Sequence, residues 1–300
     1  MDIIYRYDPY TAITGRQLKD SAAAIDILEQ GHRRYVTIVT QVQKELVGDH
    51  STHQLIIPSD PLSLGFSLES GAAPVQSPFA LVLGCSDARV PIEQIFDQSH
   101  NDLFVIRVAG NVLGVECLGS IDYAVNQFGD GLKLLVVLGH STCGAVSAAV
   151  DSYLVPKDYS SIAFTHALRS LVDRIQVAVR GAATALERVR GISVGHHPSY
   201  RAALVETAVY LNAAITAYDV RRELDPLTTA GTRVVYGVFD LVEQRVRGRP
   251  SAATGDNSEA IPIFADVPQG PDTFNELSLE LARAVAANRL QGDGTTAVSP

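Results

Sequence analysis

The chain has 300 residues, 46% of them apolar, and its 33 acidic side chains outnumber its 24 basic ones, giving a formal charge of −9. This length predicts one large domain with additions, or two smaller domains, with enough apolar residues for a sizeable core. An acidic chain without a block of Lys and Arg is not typical of a protein that binds nucleic acid or an anionic membrane.

The location that the sequence favours is the cytoplasm. No apolar stretch is long enough to span a bilayer, and Asp2, Asp8 and Asp20 interrupt the region where a signal peptide has its apolar segment. The three cysteines do not form a disulfide framework, and free thiols suit a reducing compartment. We therefore expect a cytoplasmic protein with neither a membrane nor a nucleic acid as its partner.

Predicted elements follow one another in an alternating order. Residues 1–21 are expected to form an N-terminal arm, Ala22–Tyr35 an amphipathic helix, and residues 49–77 mostly loop. Four apolar runs predict strands: Phe79–Gly84, Phe104–Ala109, Leu134–Gly139 and Val234–Asp240. Helices are predicted between and after them, over Cys117–Phe128, from Cys143 to Val150, and over Tyr200–Leu224. Unbroken apolar strands separated by helices predict an α/β fold whose mostly parallel sheet is flanked by helices.

The end of the chain has the pattern of an attached helix. Residues 247–272 have a composition typical of a linker, and Thr273 and Glu276 have the spacing of a capping box that opens a helix to about Leu290. Its apolar stripe is expected to pack on its own domain or on a neighbouring subunit: Phe274, Leu277, Leu281 and Val285. A docking helix for another protein is the alternative. The last residues, up to 300, are expected to be a disordered tail.

Two short motifs carry most of the chemical information. Cys85-Ser86-Asp87-Ala88-Arg89 and His140-Ser141-Thr142-Cys143 each follow a predicted buried strand. Either motif alone is weak, because buried cysteines and histidines are more often ordinary core residues. Together they fall beyond the carboxyl ends of parallel strands, where sites form in such sheets.

The convergence of these residues is expected from local geometry. His140 and Cys143 can share one face of a first helical turn, and Cys85, Asp87 and Arg89 would share one side if the strand continued through them. Two thiolates and one imidazole are the ligand set of a catalytic Zn²⁺ site with a free position for water. The sequence therefore predicts one Zn²⁺ per chain and an enzyme that activates water.

Four motifs in this order resemble the β-class carbonic anhydrases: CSDARV, FVIRVAGN (Phe104–Asn111), SIDYAV (Ser120–Val125) and GHSTCGA (Gly139–Ala145). The resemblance runs with gaps from about Ala24 to Val246, so residues 22–246 are expected to form the catalytic domain, with an N-terminal helical arm and a C-terminal helical extension. The connection over residues 151–200 departs from the family in being longer and more irregular. Ala88 also replaces a serine that is often found in the family.

The resemblance implies a role for individual residues. Cys85, His140 and Cys143 match the zinc ligands, and Asp87 and Arg89 match the catalytic carboxylate and its guanidinium partner. The substrate-binding positions of the open-site, plant-type members are matched by four residues: Gln76, Phe104, Ala109 and Tyr123. Family members are homodimers or dimer-based tetramers in which the partner chain completes each cleft.

These residues imply reversible hydration of CO₂ to bicarbonate and a proton through a zinc-bound hydroxide. Asp87 would orient the hydroxide, Arg89 would hold Asp87, and the amide of Gln76 would donate to a substrate oxygen. Hydrolysis of carbonyl sulfide or carbon disulfide on the same scaffold remains open, since only the pocket separates these substrates. A third alternative is a non-catalytic, zinc-stabilised interaction subunit, which would not need the Asp87–Arg89 pair.

Overall fold

The computed structural model describes residues 2–7, 18–48, 54–59, 70–73, 75–99, 101–224, 232–251 and 261–291. Its strands are β1 (Asp2–Tyr7), β2 (Gln54–Ser59), β3 (Ala80–Gly84), β4 (Leu103–Arg107), β5 (Leu134–His140), β6 (Arg233–Asp240), β7 (Arg245–Arg247) and β8 (Ala265–Asp266). Its α-helices are α1 (Ser21–Leu46), α2 (Ile92–Ile95), α3 (Val115–Phe128), α4 (Gly144–Leu154), α5 (Tyr159–Ile162), α6 (His166–Arg190), α7 (Tyr200–Leu224) and α8 (Pro271–Arg289). None of the helices in these ranges is long and apolar enough to cross a lipid bilayer.

The main sheet has the strand order β4-β3-β5-β6-β7, and β8 pairs with β6 beside β7. The four strands β4, β3, β5 and β6 are parallel, whereas β7 and β8 are antiparallel to β6. Every residue of β3 and of β5 is buried, which explains why both strands are continuous apolar runs. The predicted α/β fold with a mostly parallel sheet between helices is confirmed.

Helices cover both faces of this sheet. One face packs against the core formed with α3, α4, α6, α7 and α8, and the other packs against α1 and α2. Helix α7 is apolar on nearly all sides because it lies between the sheet, α4, α6 and α8. The N-terminal strand β1 pairs in parallel with β2 in a separate two-stranded sheet.

Several boundaries differ from the prediction. Helix α1 continues to Leu46 instead of ending at Tyr35, and the predicted loop over 49–77 contains β2. The irregular connection predicted over 151–200 contains the 25-residue helix α6. Thr165 caps α6 by accepting from the backbone N–H of Leu168 at 3.1 Å, and Gly191 follows its end with a φ of +85°. The sequence of this segment has the amphipathic pattern that is typical of a helix.

The segment predicted as a linker contributes to the core. Strand β8 lies within residues 247–272, and Ile263, Phe264 and Val267 are buried. Helix α8 begins at Pro271, because Thr273 accepts from the backbone N–H groups of Gln269 and Gly270 at 2.9 and 3.0 Å. The predicted capping residue, Thr273, is thus the third residue of the helix. From within the first turn, its hydroxyl accepts from backbone N–H groups that have no partner inside the helix.

Helix α8 packs on its own domain, which confirms the first of the two alternatives. Leu277, Leu281 and Val285 are buried against α6 and α7, and Phe274 meets the ring of Tyr218 at 5.2 Å in an edge-on contact. The apolar stripe is therefore covered by the chain itself, and the docking-helix alternative is wrong for this stripe. The predicted disordered tail over 292–300 lies outside the described residues.

Candidate metal centre

Cys85 and His140 lie side by side because their strands are adjacent and parallel. Cys85 follows the last residue of β3, His140 is the last residue of β5, and Gly84 pairs with Leu138 in register. Cys143 lies immediately before α4. All three side chains are buried, so a group of polar ligand atoms is enclosed at the carboxyl edge of the sheet.

The ligand atoms of these three residues form one compact group. The sulfur atoms of Cys85 and Cys143 are 4.0 Å apart, and all three ligand atoms lie within 4.8 Å of one another. Two thiolates bound tetrahedrally to one Zn²⁺ at about 2.3 Å would be separated by about 3.8 Å. The observed spacing therefore fits a single metal ion without a large rearrangement.

The orientation of the His140 ring also fits a metal ligand. Its Nδ1 lies 3.0 Å from the backbone carbonyl of Ser141, which can only accept, so Nδ1 carries the proton. Its Nε2 is buried and has no hydrogen-bond partner among the described residues. A buried ring nitrogen with an unused lone pair is costly unless something binds it. A metal ion between the two sulfurs would satisfy this atom.

A tight turn, and not a helical face, brings His140 and Cys143 together. Thr142 has a φ of +53°, an uncommon conformation for a β-branched residue. The turn is anchored to β6, because the Ser141 N–H donates to the Phe239 carbonyl and the Ser141 hydroxyl accepts from the Leu241 N–H, both at 2.9 Å. The predicted shared helical face is wrong, because α4 begins only after Cys143.

Asp87 and Arg89 also meet through a turn. Strand β3 ends at Gly84, so the condition that the strand continues through these residues is not met. The Arg89 guanidinium donates to both carboxylate oxygens of Asp87, at 2.9 and 2.7 Å, and the Arg89 backbone N–H donates to Oδ1 at 3.0 Å. Asp87 Oδ2 is 3.8 Å from His140 Nε2, which places the carboxylate at the edge of the ligand group.

Electrostatics hold Asp87 in its charged form. The hydrogen bonds from Arg89 lower the pKa of the Asp87 carboxyl well below its usual range, and burial only partly opposes them. The carboxylate is therefore an acceptor at every pH near neutrality.

The two sulfur atoms are close enough for one thiol to donate to the other, so that they share a proton. This contact lowers the pKa of the Cys85 thiol, against the opposing effect of burial, and raises the pKa of the Cys143 thiol. Ligation requires both sulfurs as thiolates, so binding of a metal ion would release the shared proton.

Further residues, whose role is not evident from the sequence, contact the candidate ligands and hold them in place. The Gly110 N–H donates to the Cys85 sulfur at 3.3 Å, and the Asn212 side-chain amide donates to the Gly110 carbonyl at 2.8 Å. The Arg107 guanidinium donates to the carbonyls of Cys85 at 3.0 Å and of Asp87 at 2.5 Å. Gly110 is required here, because its φ is +70° and a Cβ would lie 2.9 Å from the Ile175 side chain. A single Asn within the apolar helix α7 was the available signal for Asn212.

The predicted substrate-binding residues do not all lie at this group within one chain. Ala109 is beside it, next to Gly110. Phe104 pairs with Leu81, about 13 Å along the strand from Cys85, and its ring contacts Tyr123 at 6.3 Å. Tyr123 is 53% exposed, and Gln76 is also exposed, with no described contact to the metal ligands.

The fold and the site together define an α/β protein with a Cys–His–Cys group that could hold a metal ion at the carboxyl edge of its sheet. A protein-family model described as "Carbonic anhydrase" matches residues 80–229. A carbonic anhydrase of Mycolicibacterium smegmatis is 34% identical over 192 residues, which cover 62% of this chain and 82% of that protein. The chain belongs to the carbonic anhydrase family, as its motifs predict.

Other comparisons cover a smaller part of the chain. Carbonic anhydrase 2 of Mycobacterium tuberculosis is 42% identical over 113 residues, which cover 37% of this chain and 50% of that protein. A solved β-carbonic anhydrase of Coccomyxa, in complex with acetazolamide, has 24% identity and a TM-score of 0.44 over 57% of this chain and 72% of that chain.

Proposed function

We propose that this protein is a β-class carbonic anhydrase that interconverts CO₂ and bicarbonate with one Zn²⁺ per chain, in the cytoplasm. The observation that carries this proposal is the buried group of Cys85, His140 and Cys143 with the carboxylate of Asp87 at its edge. Membership of the carbonic anhydrase family supports the reaction, and three free thiols support the reducing location.

Cys85, His140 and Cys143 would hold the metal through two sulfurs and the unpartnered Nε2. When bound there, Zn²⁺ supplies a Lewis acid that makes water acidic enough to react at neutral pH. The protein itself would fix the orientation and the charge of these ligand atoms. The Ser141 carbonyl orients the imidazole, and the Gly110 N–H stabilises the negative charge of the Cys85 thiolate.

Asp87 would act as a fixed hydrogen-bond acceptor that orients the attacking oxygen toward CO₂. Its charge is maintained by Arg89, and its backbone is held by the Arg107 guanidinium. Both of its oxygens already accept from Arg89, so turning toward the metal to become a ligand would break two charge-assisted bonds. This supports the open-site subclass of the family.

Substrate contacts would be completed by a second copy of the chain. Ala109 lies beside the metal ligands, whereas Gln76, Phe104 and Tyr123 are displaced from them within one chain. Exposed aromatic and amide groups that make no contact with their own site are available to the cleft of a partner. We therefore propose a homodimer, alone or paired into a tetramer, in which Gln76 donates to a substrate oxygen of the partner's site.

Stopped-flow CO₂ hydration near pH 8, with zinc per chain measured on the same sample, tests the reaction. We expect turnover that is lost on chelation and restored by Zn²⁺. Cys143→Ser should lose both zinc and turnover, whereas Cys117→Ser, which changes a buried cysteine outside the ligand group, should keep both. Full zinc without CO₂ turnover, but with hydrolysis of carbonyl sulfide or carbon disulfide, would overturn the proposed substrate. Full zinc with no turnover of any of these would overturn the enzymatic function.

A further inference from the structure

A cavity of about 550 Å³ lies between α1 and the segment that contains β7. None of the metal ligands lines it, so it is separate from the metal centre. Its charged lining is formed by one carboxylate and four cationic side chains, Glu29, Arg33, Lys44, Arg245 and Arg247. A cationic cavity is unexpected in a chain whose formal charge is −9.

The positive charge of this cavity is only partly neutralised. Arg33 pairs weakly with Glu29 at 3.5 Å, and Arg247 pairs with Glu243. Among the described residues, Lys44 and Arg245 have no acidic partner. Within these residues the lining of the cavity therefore carries an excess of positive charge, which favours an anionic ligand.

Arg247 provides a second, independent indication of a ligand. Its side chain is 6% exposed, and its Nε has no hydrogen-bond partner within the described parts of the chain. Arginine is seldom buried without full pairing, and an unused guanidinium N–H that is shielded from water is a costly group. Arg247 lines the cavity, so a small turn of its side chain toward a bound anionic group would give this donor a partner.

His32 lies at the base of the cavity and does not add charge to it. Its Nδ1 donates to the Ile95 carbonyl and its Nε2 accepts from the Val246 N–H, both at 2.9 Å, which requires the neutral ring. Burial, with a smaller effect of the Arg245 charge, lowers the pKa of His32 and keeps the ring neutral near pH 7. The charge of the cavity is therefore set by Glu29 and the four cationic side chains.

The size and the remaining lining indicate an organic ligand. Glu29 and Lys44 both line the cavity and lie about 22 Å apart along the axis of α1, a length that inorganic phosphate cannot fill. Thr37 and Thr40 offer hydroxyl groups, and an apolar wall is formed by Val36, Val246, Ile261 and Ile263. A volume of this size is typical of sites for small organic molecules.

We propose that this cavity binds an organic phosphate of nucleotide size, with its phosphate groups on Arg245 and Arg247 and its organic part against the apolar wall. Arginine suits this role because its planar fork binds phosphate oxygens in a bidentate manner. The proposal does not depend on the reaction at the metal centre.

Isothermal titration calorimetry of the zinc-loaded protein with ADP, adenosine and pyrophosphate at 0.15 M salt tests this inference. We expect saturable ADP binding, no detectable adenosine binding, and weaker binding of pyrophosphate than of ADP. Arg245→Gln and Arg247→Gln should each weaken ADP binding about tenfold, the effect of one charge-assisted hydrogen bond. Arg180→Gln, which changes an exposed arginine on α6, is the matched control and should bind as the parent does.

Circular dichroism and zinc content establish that each variant is folded. If Arg247→Gln does not fold, Arg245→Gln still tests the proposal. ADP binding that is unchanged in Arg245→Gln would place the ligand elsewhere, including at the metal, and would overturn the proposal. Absence of ADP binding to the parent, or pyrophosphate binding as tight as that of ADP, would also overturn it.

Discussion

The carboxylate of Asp87 receives three hydrogen bonds from a single residue, Arg89. Two come from the guanidinium and one from the backbone, so both the position and the charge of the carboxylate are determined before any substrate arrives. At the scale of one residue, the site therefore contains an acceptor whose direction is fixed and whose protonation does not vary near neutral pH.

Asp87→Asn should lower the CO₂ hydration rate about 100-fold while zinc content stays at that of the parent. The amide keeps the shape of the side chain but can turn a donor toward the reacting oxygen, and a positioned proton acceptor contributes an effect of this order. Stopped-flow rates and metal analysis on one sample measure both quantities. Asp130→Asn, in an exposed turn, is the control, and parental activity in Asp87→Asn would contradict the orienting role.

Arg89→Ala should lower activity by a factor that is constant between about pH 6.5 and 9. Arg89 lowers the pKa of Asp87, so its removal raises that pKa toward the ordinary value of about 3.9, and the carboxylate stays ionised throughout this window. The loss of activity would then come from a misoriented Asp87 carboxylate and not from its protonation. The pH profile of kcat/KM tests this, and a ratio of variant to parent that rises with pH through neutrality would show that protonation is responsible.

At the scale of elements, the metal ligands depend on a helix that contains none of them. Helix α7 presents Asn212 to the Gly110 carbonyl, and the N–H of the same glycine donates to Cys85. Two hydrogen bonds in series thus connect the buried helix α7 to the sulfur of Cys85, a candidate metal ligand. Partners of this kind orient ligands and tune metal affinity.

Asn212→Leu should weaken zinc binding about tenfold, the lower end of the usual effect for such partners. The substitution removes the donor to Gly110 while keeping a similar volume in the buried helix. Competition with a chelator of known affinity measures the change without reference to activity. Thr216→Val, one turn further along α7 and also buried, is the control. Equal zinc affinity in the parent and in Asn212→Leu would show that Asn212 does not contribute to metal binding.

Leu281→Ala in α8 should reduce the free energy of unfolding by about 2–5 kcal/mol, because Leu281 is fully buried against the domain. Urea denaturation measures the difference. Arg283→Ala, which changes an exposed residue of the same helix, should alter the stability by less than about 0.5 kcal/mol. Equal stability of parent and Leu281→Ala would mean that α8 does not pack on its own domain in solution.

At the scale of the whole molecule, one edge of the sheet is unpaired within the described part of the chain. Strand β4 is the last described strand on its side, and α3 beside it exposes Val115 by 76% and Tyr123 by 53%. Proteins usually pair or cover the edge strand of a sheet, and a cluster of exposed apolar side chains often marks a protein–protein interface. A second copy related by a two-fold axis would cover both and would receive the displaced substrate-binding residues.

Light scattering should therefore give a mass of twice, or four times, the 32.1 kDa of one chain. Val115→Glu should shift the population to monomer and lower CO₂ hydration in parallel, because a buried charge in the interface is costly. Val177→Glu alters an exposed valine of α6, away from β4, and should change neither quantity. A fully active monomer would contradict the shared cleft.

Local pattern by itself was enough to predict the candidate metal ligands and to determine the main strands of the sheet. The ends of β3, β5 and β6 and the bounds of α7 agree with the sequence within about one residue, since long apolar runs and helix breakers are local signals. Cys85, His140 and Cys143 could be proposed as ligands because both motifs follow strands that end at one edge.

Only the tertiary structure decided how these residues converge and what supports them. The positive φ of Thr142, the Asn212–Gly110 bond and the placement of α8 and β8 depend on contacts between segments that are distant in sequence. The charged cavity has the same origin, since α1 and β7 are separated by about 200 residues. A pattern in sequence reports which face of an element is apolar, but the partner of each polar atom is set by packing, which is a property of the whole chain.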